Sequence, residues 1–200
     1  MREIAELVGR AACAGCGRRG VALCRDCEAR LGVPDHRSPP PGIDRLICPY
    51  RYEGAPRSLV LDLKGRGRRD AAQPLADALV RVARRAGVGA EVVTWVPCGA
   101  VDRRRRGFDH AELLARTAAD ALGLPCGLLL RRAGAIRDQV GLSARERLTN
   151  LKGAFTARPA PASVCLVDDV ITTGATAGCC AAALRGAGAR EIELLVACSA

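Results

Sequence analysis

Aromatic side chains are nearly missing from this chain: its 200 residues include one Trp, two Tyr and two Phe. A stacking platform for unpaired bases needs several aromatic faces, and only Tyr50, Tyr52, Trp95, Phe108 and Phe155 could supply them. Lysine is rarer still, at Lys64 and Lys152 alone, so the 31 basic residues are almost all arginine. Long apolar runs are absent as well; none approaches the roughly 20 residues that span a bilayer. Arg2, Glu3, Glu6 and Arg10 stand where a secretory signal would need an unbroken apolar core. The sequence therefore predicts a cytoplasmic protein without membrane insertion, in which the eleven cysteines stay reduced.

A chain of this length fits one medium α/β domain plus a small appendage, and it can bury a core unaided. The net charge of +10 favours polyanionic partners such as nucleotides, sugar phosphates or nucleic acid. An arginine bias beside abundant Ala and Gly also follows from coding composition, so charge supports an anionic ligand without naming it. Seven cysteines (Cys48, Cys98, Cys126, Cys165, Cys179, Cys180 and Cys198) lie in apolar or Gly/Ala-rich surroundings and read as small core residues.

The other four form Cys13-x-x-Cys16-Gly17 and Cys24-x-x-Cys27, with seven residues between the pairs. Two chelating thiolate pairs suit tetrahedral Zn²⁺, and Gly17 lets the backbone turn around the metal. Arg18, Arg19 and Arg25 would help to stabilise thiolates. The competing readings are a redox CxxC repeated twice, or disulfides in an unsuitable compartment. Four cysteines fill every coordination position, so the site is structural. A segment this small has too little apolar surface to fold alone, and metal would supply much of its stability.

Residues 1–33 thus form a four-cysteine module, 34–45 a Pro-rich linker (Ser38-Pro39-Pro40-Pro41-Gly42 at its centre), and 46–200 the main domain. Within the last, strands are expected at Ile47–Tyr52, Val92–Val96, Cys126–Leu130, Ser163–Val167 and Ile192–Ala197. Helices are expected at Pro56–Lys64, within Asp70–Ala86, after Asp109 with Glu112 completing its cap, and after Thr176. A short helix capped by Ser143 and Glu146 interrupts the polar segment 131–161. This alternation predicts a doubly wound parallel sheet, whose ligands sit beyond the strand carboxyl ends. Three loops converge there: Pro97–Phe108, Arg131–Leu151 and Asp168–Thr176.

The most informative run is Val164-Cys165-Leu166-Val167-Asp168-Asp169-Val170-Ile171-Thr172-Thr173-Gly174-Ala175-Thr176. A buried strand passes through a small hydroxyl-rich turn into an Ala-rich helix, a geometry that exposes backbone N–H groups to a phosphate. Two adjacent carboxylates suit sugar hydroxyls and hydrated Mg²⁺. The plain alternative is a buried strand ending in an acidic cap pair. A site for phosphate, ribose and Mg²⁺ together resembles the phosphoribosyl-pyrophosphate (PRPP) loop of type I phosphoribosyltransferases.

With the four-cysteine module, Tyr50 and Tyr52, Leu63-Lys64, Val96-Pro97, Arg106-Gly107-Phe108, Arg137 with Gln139, and Arg147 with Asn150, nearly the whole chain resembles the ComF family. The resemblance implies a PRPP-binding phosphoribosyltransferase-type fold and Mg-dependent transfer to an unknown nitrogen acceptor with release of pyrophosphate. Thr172, Thr173, Gly174, Ala175 and Thr176 would wrap the 5-phosphate; Asp168 and Asp169 would hold the ribose hydroxyls. Arg103 and Arg106 would meet pyrophosphate, and Lys64 would contribute to PRPP binding. Arg104 and Arg105 read equally well as a solvated charge run. Arg137, Gln139 and Arg147 occupy the place of a loop that closes over PRPP, the alternative being an ordinary polar loop. Family members usually read Arg-Gly-Phe-Asn-Gln, where this chain has Asp109 and His110; His110 reads as a surface helix residue and His36 as inert. The resemblance also implies, as alternatives, a single-stranded-DNA-binding competence factor working with helicase machinery, or a non-catalytic PRPP sensor.

Overall fold

The computed structural model describes residues 12–34, 37–65, 67–133 and 153–200. His36, Arg137, Gln139, Arg147, Asn150 and the short helix expected near Ser143 lie outside the described residues.

The α/β alternation produces a parallel sheet. Strands β1 (Arg45–Ile47) and β2 (Tyr50–Arg51) both pair with β7 (Glu191–Ser199), which pairs with β6 (Ser163–Ile171), and β6 pairs with β3 (Val92–Trp95). Cys48 and Pro49 separate β1 from β2, since Pro49 has no N–H to give the ladder. Helices cover both faces, as a parallel sheet requires. On one face, α2 (Gly54–Gly65), α3 (Ala72–Ala86) and α5 (His110–Leu122) pack over Val93, Trp95, Cys165, Val167 and Leu195. On the other, α6 (Ala175–Gly186) packs over Val164, Leu166, Ile192, Leu194 and Val196. The strand period of two splits β6 between these cores, residue by residue.

Sequence signals and structure agree on most elements. Asp109 caps α5, accepting from Ala111 N and Glu112 N, and Gly87 ends α3 in the left-handed conformation. Three expectations change. The strand placed at Cys126–Leu130 is reduced to one parallel bridge, Cys126 to Val93; Pro125 and Gly127 flank it, and neither favours a ladder. Leu130–Arg132 instead forms β4, antiparallel to β5 (Phe155–Ala157), with Leu130 and Phe155 buried over α6. Segment 97–108 is not simply a loop but contains α4 (Ala100–Arg106), entered at Gly99 and ended by left-handed Gly107. Of the seven cysteines read as core, Cys165, Cys180 and Cys198 are buried, whereas Cys48, Cys98, Cys126 and Cys179 are only partly so.

The Pro-rich segment lies along α6. Pro40 is buried against Gly174, Gly42 sits against Ala181, and Arg185 holds Asp44 through two bonds of 2.7 and 2.8 Å. Among the described residues no helix is long and apolar enough to cross a membrane.

Candidate functional site

Strand β6 runs past Val167 and carries both carboxylates within it rather than beyond its end. Adjacent strand residues point to opposite faces, and the pair divides accordingly. Asp168 lines a small hollow of about 60 Å³ with Thr172, Thr173, Gly174, Ala175 and Thr176. Asp169 turns toward α2 and α5, is 2% exposed, and meets Lys64 Nζ at 2.8 Å through Oδ1. Its Oδ2 is buried without an aligned hydrogen bond; His110 Nε2 lies 2.8 Å away.

His110 is therefore not a surface residue: it is 7% exposed and faces the carboxylate. The expectation failed because the 110 position starts a helix whose first turn is clamped to the sheet. Asp109 Oδ1 caps α5 while its Oδ2 accepts from Cys98 N at 2.9 Å, tying α5 to the chain leaving β3. Arg106 completes the cluster, with Nη1 3.3 Å from His110 Nδ1 and Nη2 3.3 Å from Asp102. A polar line thus runs Asp102–Arg106–His110–Asp169–Lys64.

The electrostatics of the two carboxyls diverge. Burial raises the pKa of Asp168, and the charge on Asp169 adds to this, leaving it well above the usual value. Burial also acts on Asp169, but the contacts of His110 and Lys64 outweigh it and hold the group below the usual value. Asp169 is thus the stable anion. Asp168 is the strained group beside the hollow, and a divalent cation or hydroxyl donors there would relieve it. Asp168, Asp169 and His110 have ligand atoms within 4.8 Å of one another; Lys64 and His110 both face Asp169.

The turn is built for close approach. Gly174 has φ +77°, and a Cβ there would stand 2.6 Å from Pro40 Cγ. The first turn of α6 that follows leaves N–H groups without intrahelical acceptors. The arginines are less uniform than their run implies: Arg106 is turned inward, with a side chain 14% exposed, whereas Arg103 is 55% exposed and bonds Glu112 at 3.3 Å.

In the N-terminal module, Cys13, Cys16, Cys24 and Cys27 bring their sulfurs within 4.8 Å of one another. Cys16 Sγ and Cys24 Sγ are 3.7 Å apart, close to the edge of a tetrahedron with metal–sulfur bonds of about 2.3 Å. Gly15 N and Cys24 N both donate to Cys13 Sγ. Although burial raises it, these N–H groups lower the Cys13 thiol to about 6, while bonds from the neighbouring sulfurs push Cys27 up to about 12. The four cysteines could hold a zinc ion. Glu28, at the end of α1 (Arg25–Glu28), accepts from Tyr50 Oη at 2.8 Å and pairs with Arg81, fastening the module to β2 and α3.

The DNA utilization protein YhgH of Salmonella typhi is 33% identical over 201 residues, covering 93% of this chain and 88% of that protein. The chain belongs to the ComF/YhgH family. Competence protein F of Haemophilus influenzae, another member, is 36% identical over 110 residues, 52% of this chain and 48% of its own. No family model matches. Among solved structures, an allosteric regulatory enzyme of purine biosynthesis is 24% identical with a TM-score of 0.44, over 64% of this chain and 26% of that one. Adenine phosphoribosyltransferase from Leishmania tarentolae is 22% identical with a TM-score of 0.40, over 62% and 55% respectively.

Proposed function

We propose that this chain of the ComF/YhgH family is a cytoplasmic PRPP-binding protein of phosphoribosyltransferase type, with a structural zinc module. The observation that carries the reading is the hollow at Thr172–Thr176, where a strand, a Gly-centred turn and a helix start enclose space beside Asp168. Thr172, Thr173, Gly174, Ala175 and Thr176 would take the 5-phosphate, with Asp168 on the ribose hydroxyls. Arg103 would reach pyrophosphate from the exposed side of α4; Arg106 would have to leave Asp102 and His110 to join it. Arg137, Gln139 and Arg147 would complete the ligand's cover.

In the reaction, a nitrogen lone pair forms a bond to ribose C1 as the C1–oxygen bond to pyrophosphate breaks, and the nitrogen then loses its proton. Asp168 would help to hold a hydrated Mg²⁺, which would supply charge neutralisation of the leaving group. The chain's arginines would add to that stabilisation, and the segment carrying Arg137, Gln139 and Arg147, drawn over the ligand, would keep water from an oxocarbenium-like carbon. A DNA-uptake role stands as the second reading. The names of its relatives, a DNA utilization protein and a competence protein, and the +10 charge support this role; single-stranded DNA or competence helicase machinery would be the partner, the PRPP site then being regulatory or a sensor.

Calorimetric titration with PRPP and Mg²⁺, repeated across candidate acceptors while pyrophosphate release is followed, tests the first reading. Saturable binding with acceptor-dependent release supports an enzyme. Binding without release with any acceptor supports a sensor or uptake factor, and no binding removes the site.

A further inference from the structure

His110 contacts two groups of opposite demand. Nδ1 faces the Arg106 guanidinium at 3.3 Å, and Nε2 faces Asp169 Oδ2 at 2.8 Å. A guanidinium has N–H donors and no acceptor, so the nitrogen opposite it must be bare. The proton then sits on Nε2, where a buried carboxylate oxygen without another hydrogen-bond partner needs it.

We propose that His110 is a positioning residue that donates from Nε2: with Lys64 it occupies both oxygens of Asp169, making that carboxylate a fixed strut. Asp168 is then the carboxyl that receives the sugar hydroxyls of a phosphoribosyl ligand. This assignment of roles rests on the PRPP reading above; the tautomer does not. Three features of the structure agree with it. Asp169 faces the helices rather than the hollow, and Asp168 lines the hollow. Asp169 N donates to Asp168 Oδ1 at 2.8 Å, so fixing one residue orients the other. Asp109 pins the start of α5 to Cys98, which delivers the imidazole to β6 at a set angle.

A side-chain amide carries the same pair of functions, an N–H donor for Asp169 and a carbonyl acceptor for Arg106. Glutamine at this position should reproduce both contacts; alanine makes neither.

The chain has only two histidines, so long-range proton–nitrogen spectra of ¹⁵N-histidine-labelled full-length protein, with His36→Asn for assignment, read the tautomer directly. At pH 7.5 the expected pattern is a protonated Nε2 and bare Nδ1 for His110; a protonated Nδ1 with a bare Nε2 overturns the proposal. Titration of the same protein with PRPP and Mg²⁺ tests the roles. His110→Gln should bind within about threefold of the wild type. His110→Ala should lose about tenfold, the size expected for one charge-assisted hydrogen bond. Asp168→Asn should lose affinity without losing thermal stability, while Asp169→Asn should lose both. His110→Gln as weak as His110→Ala, or Asp168→Asn binding like wild type, overturns the assignment. Wild-type protein that binds no PRPP defeats the functional reading and with it the role given to Asp168, leaving the spectra to decide the tautomer.

Discussion

Asp168 and Asp169 are neighbours in sequence with opposite consequences for stability. The folded state lowers the pKa of Asp169, so its contribution is present above the ordinary carboxylate range near 3.9 and is lost as pH falls through its lowered value. The folded state raises that of Asp168, so folding is favoured while this group is protonated and disfavoured as pH rises through its raised value. Thermal melts at pH 7.5 should therefore place Asp168→Asn above wild type and Asp169→Asn below it. The gain from Asp168→Asn should shrink as pH approaches 4; a loss of melting temperature in Asp168→Asn would refute the division of roles. Glycines test the turn in the same way. Gly107 and Gly174 both have positive φ, but a Cβ at Gly107 meets nothing within 4 Å, whereas at Gly174 it collides with Pro40. Gly107→Ala should cost about 1–2 kcal/mol of backbone strain. Gly174→Ala should add about 1–3 kcal/mol of overpacking, and with a protein of this size each kcal/mol moves the melting temperature by about 2–4 °C. Equal melting temperatures would remove the Pro40 contact from the account. The acidic pair and the glycine turn were legible in the sequence because strand, turn and helix patterns there are local. His110 was not, because its burial depends on Asp109 reaching back to Cys98, a contact no periodicity encodes.

The four-cysteine module shows how an element too small for a core is held. Four sulfurs within 4.8 Å of one another, two of them 3.7 Å apart, make a strained cluster when protonated and a strong chelate when ionised. One tightly bound zinc per chain is expected by elemental analysis after gel filtration, and Cys13→Ser should lose it together with solubility. Chelation should also lower the melting temperature of the main domain, because the module is fastened to β2 and α3 through Glu28, Tyr50 and Arg81. A metal-free protein with unchanged melting would show that the cysteines hold nothing of consequence. The paired spacing of the cysteines made this element readable. By contrast, α4 was hidden in a run of arginines with no apolar stripe, since none of its residues is buried. The missing strand at Cys126 failed for the converse reason: its apolar run Leu128–Leu130 is real, but backbone pairing with β3 stops after Gly127, Leu129 N turns to the Thr94 hydroxyl, and the chain goes on to β5.

The molecule as a whole carries +10 with almost no lysine, and much of that charge stands exposed on α4 and the cysteine module. Fixed arginines that neutralise phosphates release condensed counterions, so log affinity for single-stranded nucleic acid falls with log salt at about −0.7 per phosphate contacted. Arg104 and Arg105 are the sharpest probe, because among the described residues neither lines the hollow nor meets Asp168, Asp169 or His110; Arg105 pairs with Asp102 at 3.1 Å on the surface, a contact worth little. If DNA is a partner bound along α4, replacing both by Gln should weaken single-stranded binding and reduce the salt slope by about 1.4, that is, about two contacts' worth. PRPP affinity should change far less, since the flanking Arg103 and Arg106, which would meet pyrophosphate, are kept. With so few aromatic faces, the binding should also be nearly indifferent to base identity. Titrations of a labelled oligonucleotide from 50 to 200 mM salt measure all of this. A slope untouched by the double replacement would move DNA to another face, and no binding even at low salt would remove DNA and leave the phosphoribosyl site to account for the arginines.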